Sequence, residues 1–322
     1  MINPGSHWSR RTFVHRMGSC AAHLGIMAAA SPWFAREAWA APAGYPVVAQ
    51  EAWGRLERVA EGVWALISTP LTGDYTTICN GGIIQGRAGV LIVEALGSDA
   101  GARWIAEQAL LLTGRPPTHV VVTHYHGDHT GGLRGAFETA DVKLLATAVT
   151  RDQTKERNED SPGDLLDGAQ LLDTRRPTEI DLGDRSVVVV PRRGHTDSDV
   201  SLEISDPSVV FCGDLVWNAM FPNYMDATPS RLSLEVRMLR ELGAATYVPG
   251  HGPLASPEDL ARYIDLLDDV EAAARRALEQ GMTAEEAGAE YTLPAGMEEW
   301  TLFSPSYFGR AIGAWMQEVG GQ

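Results

Sequence analysis

Cysteine is scarce in this chain, with three in 322 residues. Cys20 falls in the first forty residues, and the two that follow, Cys79 and Cys212, are too few for a disulfide framework. After that N-terminal stretch no uninterrupted apolar run is long enough to cross a bilayer, so no membrane-spanning helix is expected there. Basic residues are outnumbered, 26 Lys and Arg against 42 Asp and Glu, for a net charge of -16. No basic cluster offsets this, which disfavours nucleic acid and anionic membrane as partners. Internal repeats and low-complexity tracts are also absent, excluding a repeat array. What remains is the composition of a globular protein, 44% hydrophobic and 21% charged, with length enough for a sizeable core.

The first forty residues differ from the rest. They carry Arg10, Arg11, Arg16 and Arg36 against one acid, Glu37. Ser9-Arg10-Arg11-Thr12-Phe13-Val14 resembles a twin-arginine export motif. A weakly apolar stretch follows, then Ala38-Trp39-Ala40, a small-x-small cleavage site. Residues 1–40 are therefore expected to be a signal peptide and the remainder a soluble periplasmic protein. Cys20 is not read as a lipoprotein cysteine, because no apolar run precedes it.

Residues 41–54 read as a linker. Short β-rich runs follow at 63–68, 82–85, 90–94, 119–123, 144–148, 187–190, 200–204 and 209–212. Helical stretches at 98–112 and 230–242 are interleaved, each ending at a glycine. This is a mixed pattern of strands and helices, suggesting sheet packed on sheet with helices outside. Beyond 255 the character changes. Ser256-Pro257-Glu258-Asp259 is a strong helix start, and Leu260, Ile264, Leu267, Val270, Ala274 and Leu278 keep helical spacing up to Gly281. Thr283 with Glu286 predicts a second capped helix, and residues 307–319 a third. Residues 256–322 are taken as a helical extension packed on a main domain of residues 55–255.

The chemistry concentrates in Thr123-His124-Tyr125-His126-Gly127-Asp128-His129, just after the apolar run 119–122. Three imidazoles and a carboxylate in six residues suit a borderline-soft cation such as zinc. A loop so tight cannot easily aim all four at one ion, but two ions can divide them. Three more candidates stand at strand-to-loop breaks: His195 in Gly194-His195-Thr196, Asp214 after Phe211-Cys212-Gly213, and His251 in Pro249-Gly250-His251-Gly252. Beyond the signal segment the chain has six histidines, and only His119 lies outside this set.

His-x-His-x-Asp-His, then Gly-His, a Gly-Asp after an apolar strand, and Pro-Gly-His-Gly together resemble the metallo-β-lactamase superfamily. The resemblance covers about residues 55 to 255, and it implies an α+β fold, a four-layer αββα sandwich, here with a C-terminal helical extension. It also implies two Zn2+ per chain, one on His124, His126 and His195, the other on Asp128, His129 and His251, with Asp214 bridging. Zinc acidifies bound water to roughly pH 7, so a hydroxide nucleophile exists at neutral pH without a covalent enzyme intermediate. Asp128 is the expected catalytic carboxylate that orients it.

The substrate is expected to be a small molecule, and the oligomeric state is left open. A bridging aspartate resembles the glyoxalase II type and general hydrolases of the superfamily, whereas β-lactamase branches usually carry cysteine or serine there. Cys212, two places earlier, reads as a small buried strand residue. An ester, thioester or lactone hydrolase is therefore expected, with β-lactamase as the alternative because β-lactams are met in the periplasm. Glyoxalase II itself is disfavoured, since no basic cluster awaits its acidic substrate. A di-iron redox protein and a non-catalytic zinc-binding protein rank lower. Tyr125, Asn223 and Tyr224 are candidate substrate contacts, and residues 72–75 a candidate flap.

Overall fold

The computed structural model describes residues 44–69, 73–138, 141–157 and 162–321. The signal segment, residues 1–40, and Thr72 of the candidate flap lie outside the described residues. Eight strands form one sheet in chain order: β1 (Val47–Glu51), β2 (Gly54–Ala60), β3 (Val63–Ser68), β4 (Gly81–Gln85), β5 (Val90–Val93), β6 (His119–Val121), β7 (Lys143–Thr147) and β8 (Gln170–Leu172). Five more form a second sheet: β9 (Thr178–Asp181), β10 (Ser186–Pro191), β11 (Val200–Ile204), β12 (Val209–Trp217) and β13 (Thr246–His251), again in chain order across the sheet. The helices are α1 (Asp99–Thr113), α2 (Gly127–Thr130), α3 (Leu133–Glu138), α4 (Ala148–Arg157), α5 (Pro229–Glu241), α6 (Pro257–Gln280), α7 (Ala284–Glu290) and α8 (Ser306–Gly320).

Side chains on a strand point alternately to its two faces, so a strand buried on both sides feeds two cores. β12 does this. Val209 and Phe211 join the layer between the sheets, while Val210 and Cys212 face the C-terminal helices. On the other sheet Leu91 and Val93 face inward, and Val90 and Ile92 pack towards α1 and α3. Three apolar cores thus separate four layers, helices outside and sheets within, as the sandwich resemblance implies.

The helix signals read from sequence are realised at the atomic level. The Ser98 side chain accepts the Gly101 N–H to start α1, and Gly114 ends it in the left-handed region at φ 72°. Ser256 and Asp259 form a capping box on α6, and Thr283 with Glu286 forms one on α7. Leu278 departs from expectation: it lies near the end of α6 and is 39% exposed rather than core.

Two strand readings are corrected. The stretch taken as a linker, 41–54, supplies β1, which pairs antiparallel with β2. Its Val-Val-Ala-Gln-Glu sequence is largely exposed, so it lacked the apolar signature of a core strand. The run 209–212 continues as strand to Trp217, through Gly213 and Asp214. A buried carboxylate inside a strand broke the apolar pattern that would have revealed it.

β5, β6, β7 and β8 run parallel, as do β12 and β13. The residues following β5 and β6 and those late in β12 and β13 meet at one edge of the sandwich.

Candidate metal centre

All seven predicted ligands converge at that edge, and they form two groups with one shared member. His124, His126, His195 and Asp214 make the first, and Asp128, His129, Asp214 and His251 the second. All are buried except Asp128, which is partly exposed. His124 and His126 lie beyond β6, and Asp128 and His129 lie in the single turn α2. His195 sits in the β10–β11 loop, where Asp199 accepts hydrogen bonds from its backbone N–H and from that of Thr196. Asp214 and His251 come from the neighbouring parallel strands β12 and β13.

In the first group His126 Nδ1 lies 3.0 Å from both His124 Nε2 and His195 Nε2. Nitrogens about 2.0–2.1 Å from one tetrahedral ion stand about 3.3 Å apart, so these three are spaced to share a cation. Burial, reinforced by neighbouring His129 and His126, drives the His124 pKa well below its ordinary value. Burial likewise carries His195 down to about 3, against the opposing charge of Asp214. Both rings are therefore neutral at pH 7, with lone pairs free to ligate.

The second group carries its charges differently. Asp128 Oδ2 is 3.2 Å from His251 Nε2, and Asp214 Oδ1 is 3.1 Å from His129 Nε2. Burial favours a neutral Asp128, yet His129 and His251 together hold its pKa near 2. Burial opposes charge on His251 too, but Asp214 and Asp128 raise it to about 9. Asp214 joins the groups, its other oxygen lying 3.3 Å from His195 Nε2 and 3.4 Å from His251 Nε2. Asp214 Oδ1, His129 Nε2 and His251 Nε2 are buried with no hydrogen-bond partner, as expected of atoms shaped for a cation.

Behind the ligands stands a layer that sequence reasoning missed. Glu94 Oε1 accepts from Thr123 Oγ1 at 2.5 Å and lies 3.0 Å from His129 Nδ1. Thr123 Oγ1 is in turn 3.0 Å from His124 Nδ1, so one carboxylate supports a ring in each group. Glu94 holds φ at 73°, a left-handed conformation costly for a residue with a Cβ. Asp226 Oδ2 sits 2.9 Å from His126 Nε2, and its other oxygen accepts from Arg157 Nη1 at 2.7 Å. Carboxylates that hold the far nitrogen of a ligating imidazole fix its tautomer and direction. Glu94 carried a weak signal, an acid straight after an apolar strand; Asp226 carried none.

Asn80 ties the sheets together at this edge. Its amide donates to the Pro249 and Gly252 carbonyls, while its oxygen accepts from the Ser68 N–H. Gly250 must be glycine, since a Cβ there would stand 1.9 Å from Asp214 Oδ1.

The candidate substrate contacts fare unevenly. Tyr125 lies at this edge with the Arg157 guanidinium 4.9 Å over its ring, although only 6% of it is exposed. Asn223 is engaged by Arg310 Nη1 at 2.7 Å and by the Met225 N–H. Tyr224 is buried in the core beneath the C-terminal helices. Asn223 is thus held by hydrogen bonds and Tyr224 by packing. Of the candidate flap, Asp74 accepts from the Thr76 backbone and side chain, closing a local turn. Cys79 and Cys212 are separate free thiols, both buried and pushed above their ordinary pKa by that burial.

The metallo-beta-lactamase type 2 of Bacillus cereus is 23% identical over 218 residues, spanning 66% of this chain and 82% of that protein. The hydroxyacylglutathione hydrolase of Rhodospirillum rubrum is 28% identical over 205 residues, spanning 63% of this chain and 73% of that protein. Among solved structures, a metallo beta lactamase from Erythrobacter litoralis superposes with TM-score 0.57 at 20% identity, covering 69% of this chain and 99% of its own. A sec-alkylsulfatase from Pseudomonas sp. gives TM-score 0.63 at 17% identity, over 82% of this chain and 50% of that one. The family model described as the metallo-beta-lactamase superfamily matches residues 74–251, a span that opens near the candidate flap and closes on the last of the seven ligands. With more than half its length so matched, and its ligand groups held between two sheets, this chain belongs to the metallo-β-lactamase superfamily.

Proposed function

We propose that the protein is a periplasmic dinuclear zinc hydrolase acting on an ester, thioester, lactone or related acyl bond. The observation that carries this is Asp214, whose two oxygens reach histidines of both groups. A buried carboxylate so placed balances two dications at once. Bound there, a pair of zinc ions would acidify water near neutral pH and polarise the scissile oxygen.

The chain's own residues do the rest. His124, His126 and His195 would hold the first ion, and Asp128, His129 and His251 the second. Asp128, partly exposed and kept anionic by its histidine neighbours, can accept a hydrogen bond from the attacking water. Neither Cys79 nor Cys212 is available as a covalent nucleophile, both thiols being buried and raised in pKa. The hydroxyacylglutathione hydrolases among the relatives support an acyl substrate.

The alternative, β-lactam hydrolysis, is favoured by one observation. The two type 2 metallo-beta-lactamase relatives align over 82% and 81% of their own lengths. The twin-arginine segment supports a periplasmic location, with residues 1–40 removed and residues 256–322 extending the catalytic domain. The test is a panel of ester, thioester, lactone, phosphodiester and β-lactam substrates, run on signal-free protein of measured metal content. Acyl hydrolysis that is lost in His126→Ala, with the fold retained, is expected. Two irons per chain and little zinc would overturn the proposal, and preferential β-lactam turnover would select the alternative.

A further inference from the structure

The histidines of this site are not all held alike. His124, His126 and His129 each present their outward ring nitrogen to an oxygen 2.9–3.0 Å away, on Thr123, Asp226 and Glu94 respectively. The Nδ1 atoms of His195 and His251 have no such support, both being buried without a hydrogen-bond partner, and the second of these rings, His251, is held in another way. Its ring lies instead among aromatic neighbours. Trp217, its register partner on the adjacent parallel strand, lies 4.1 Å away with the planes tilted by 38°. Phe303 meets both rings edge-on, 5.9 Å from His251 at 85° and 5.9 Å from Trp217 at 89°.

Phe303 belongs to the C-terminal extension, far from the ligand motifs in sequence, and the backbone secures it there. Thr301 donates to the Ala219 carbonyl and accepts from the Phe221 N–H, both at 2.9 Å, stitching the extension to the turn that leaves β12. Ala219 takes φ 51° to make that turn, a conformation L-residues rarely adopt. Phe303 and Trp217 are only 6% and 3% exposed, so neither is open to solvent. An edge-on aromatic contact has a preferred angle, and a ring wedged on two sides cannot rotate freely.

We infer that Phe303 is a positioning residue for the second metal site, fixing His251 by aromatic packing where His124, His126 and His129 have an oxygen beside the outward ring nitrogen. The extension is thereby a structural part of the metal centre. This rests on the dinuclear reading above. Removing such support is expected to weaken the second ion selectively, by about 10–100-fold, the usual effect of losing a group that orients a ligand.

The experiment titrates zinc into metal-free full-length protein against a chromophoric chelator, with ions per chain counted by elemental analysis. Wild type is expected to bind two zinc ions in resolvable steps. Phe303→Ala should keep the first step and lose 10–100-fold in the second, and Phe303→Tyr should restore it. Phe303→Leu preserves the buried apolar volume and serves if the alanine variant unfolds, with the same selective loss expected. Unchanged second-step affinity in Ala and Leu variants, or equal weakening of both steps, overturns the inference while leaving the dinuclear reading intact. A wild-type chain that binds fewer than two ions overturns both, and is recognised without any variant.

Discussion

The two ligand groups share Asp214 but solve the same problem in different ways. The first is a set of buried imidazoles, two of them driven neutral by burial, with His126 backed by a carboxylate. The second mixes carboxylate and imidazole, and without a metal His251 keeps a proton that balances Asp128 and Asp214. His124 and His195 are thus ready to ligate at neutral pH. The second group must release the protons that nearby negative charge holds, against burial, on both His129 and His251. On the dinuclear reading proposed above, the difference predicts that a site of near-symmetric appearance fills in order, the first group ahead of the second.

The largest effect should come from removing what the groups share. Asp214→Asn is expected to weaken both ions and cut turnover by more than the 10–100-fold typical of an outer support. Metal analysis after desalting, together with kcat, checks this; retention of both ions would remove the bridge from the comparison. Next come the supports themselves. Asp226→Asn should weaken only the first ion, by about 10–100-fold, whereas Glu94→Gln should weaken both, since Glu94 touches His129 directly and His124 through Thr123. Stepwise zinc titration separates the two patterns.

A smaller effect appears with pH in the metal-free protein. His251 has its pKa raised from 6.5 to about 9, so its contribution is full below pH 6.5 and is lost as pH rises through 9. The melting temperature of the metal-free chain should fall across that window, and saturating zinc should flatten the fall. A metal-free melt independent of pH from 6.5 to 9 would refute the proton's role. Smallest is Ser256→Ala, which removes the α6 cap at a cost of about 1 kcal/mol and leaves both zinc affinities unchanged. Chemical denaturation beside metal titration checks both halves of that statement.

The ligands were legible in the sequence because each motif interrupts or follows an apolar strand, with glycine next to every ligand except His124 and His129. The sandwich followed from the order of those motifs, and the caps of α1, α6 and α7 from local residue chemistry. What stayed hidden was of longer range. Asp226 lies 100 residues from His126, and Phe303 lies 52 from His251, so no spacing connects them. β1 was hidden for another reason, since an exposed strand carries little apolar pattern. Tyr224 follows Asp214 closely in sequence, but nothing in its local pattern reveals that its ring is buried in the core beneath the C-terminal helices.

Asn80 and the ligands span the same seam between the sheets. His124, His126, Asp128 and His129 follow β6 of one sheet, whereas Asp214 and His251 lie on β12 and β13 of the other. An ion held by members of both sets would act as a cross-link, closing a chain loop from His124 to Asp214 in the first group and a longer one from Asp128 to His251 in the second. Each tenfold rise in free zinc above the dissociation constant would then add about 1.4 kcal/mol of stability per site. On the proposed dinuclear zinc reading, the seam would make the protein's resistance to unfolding a gauge of the zinc around it.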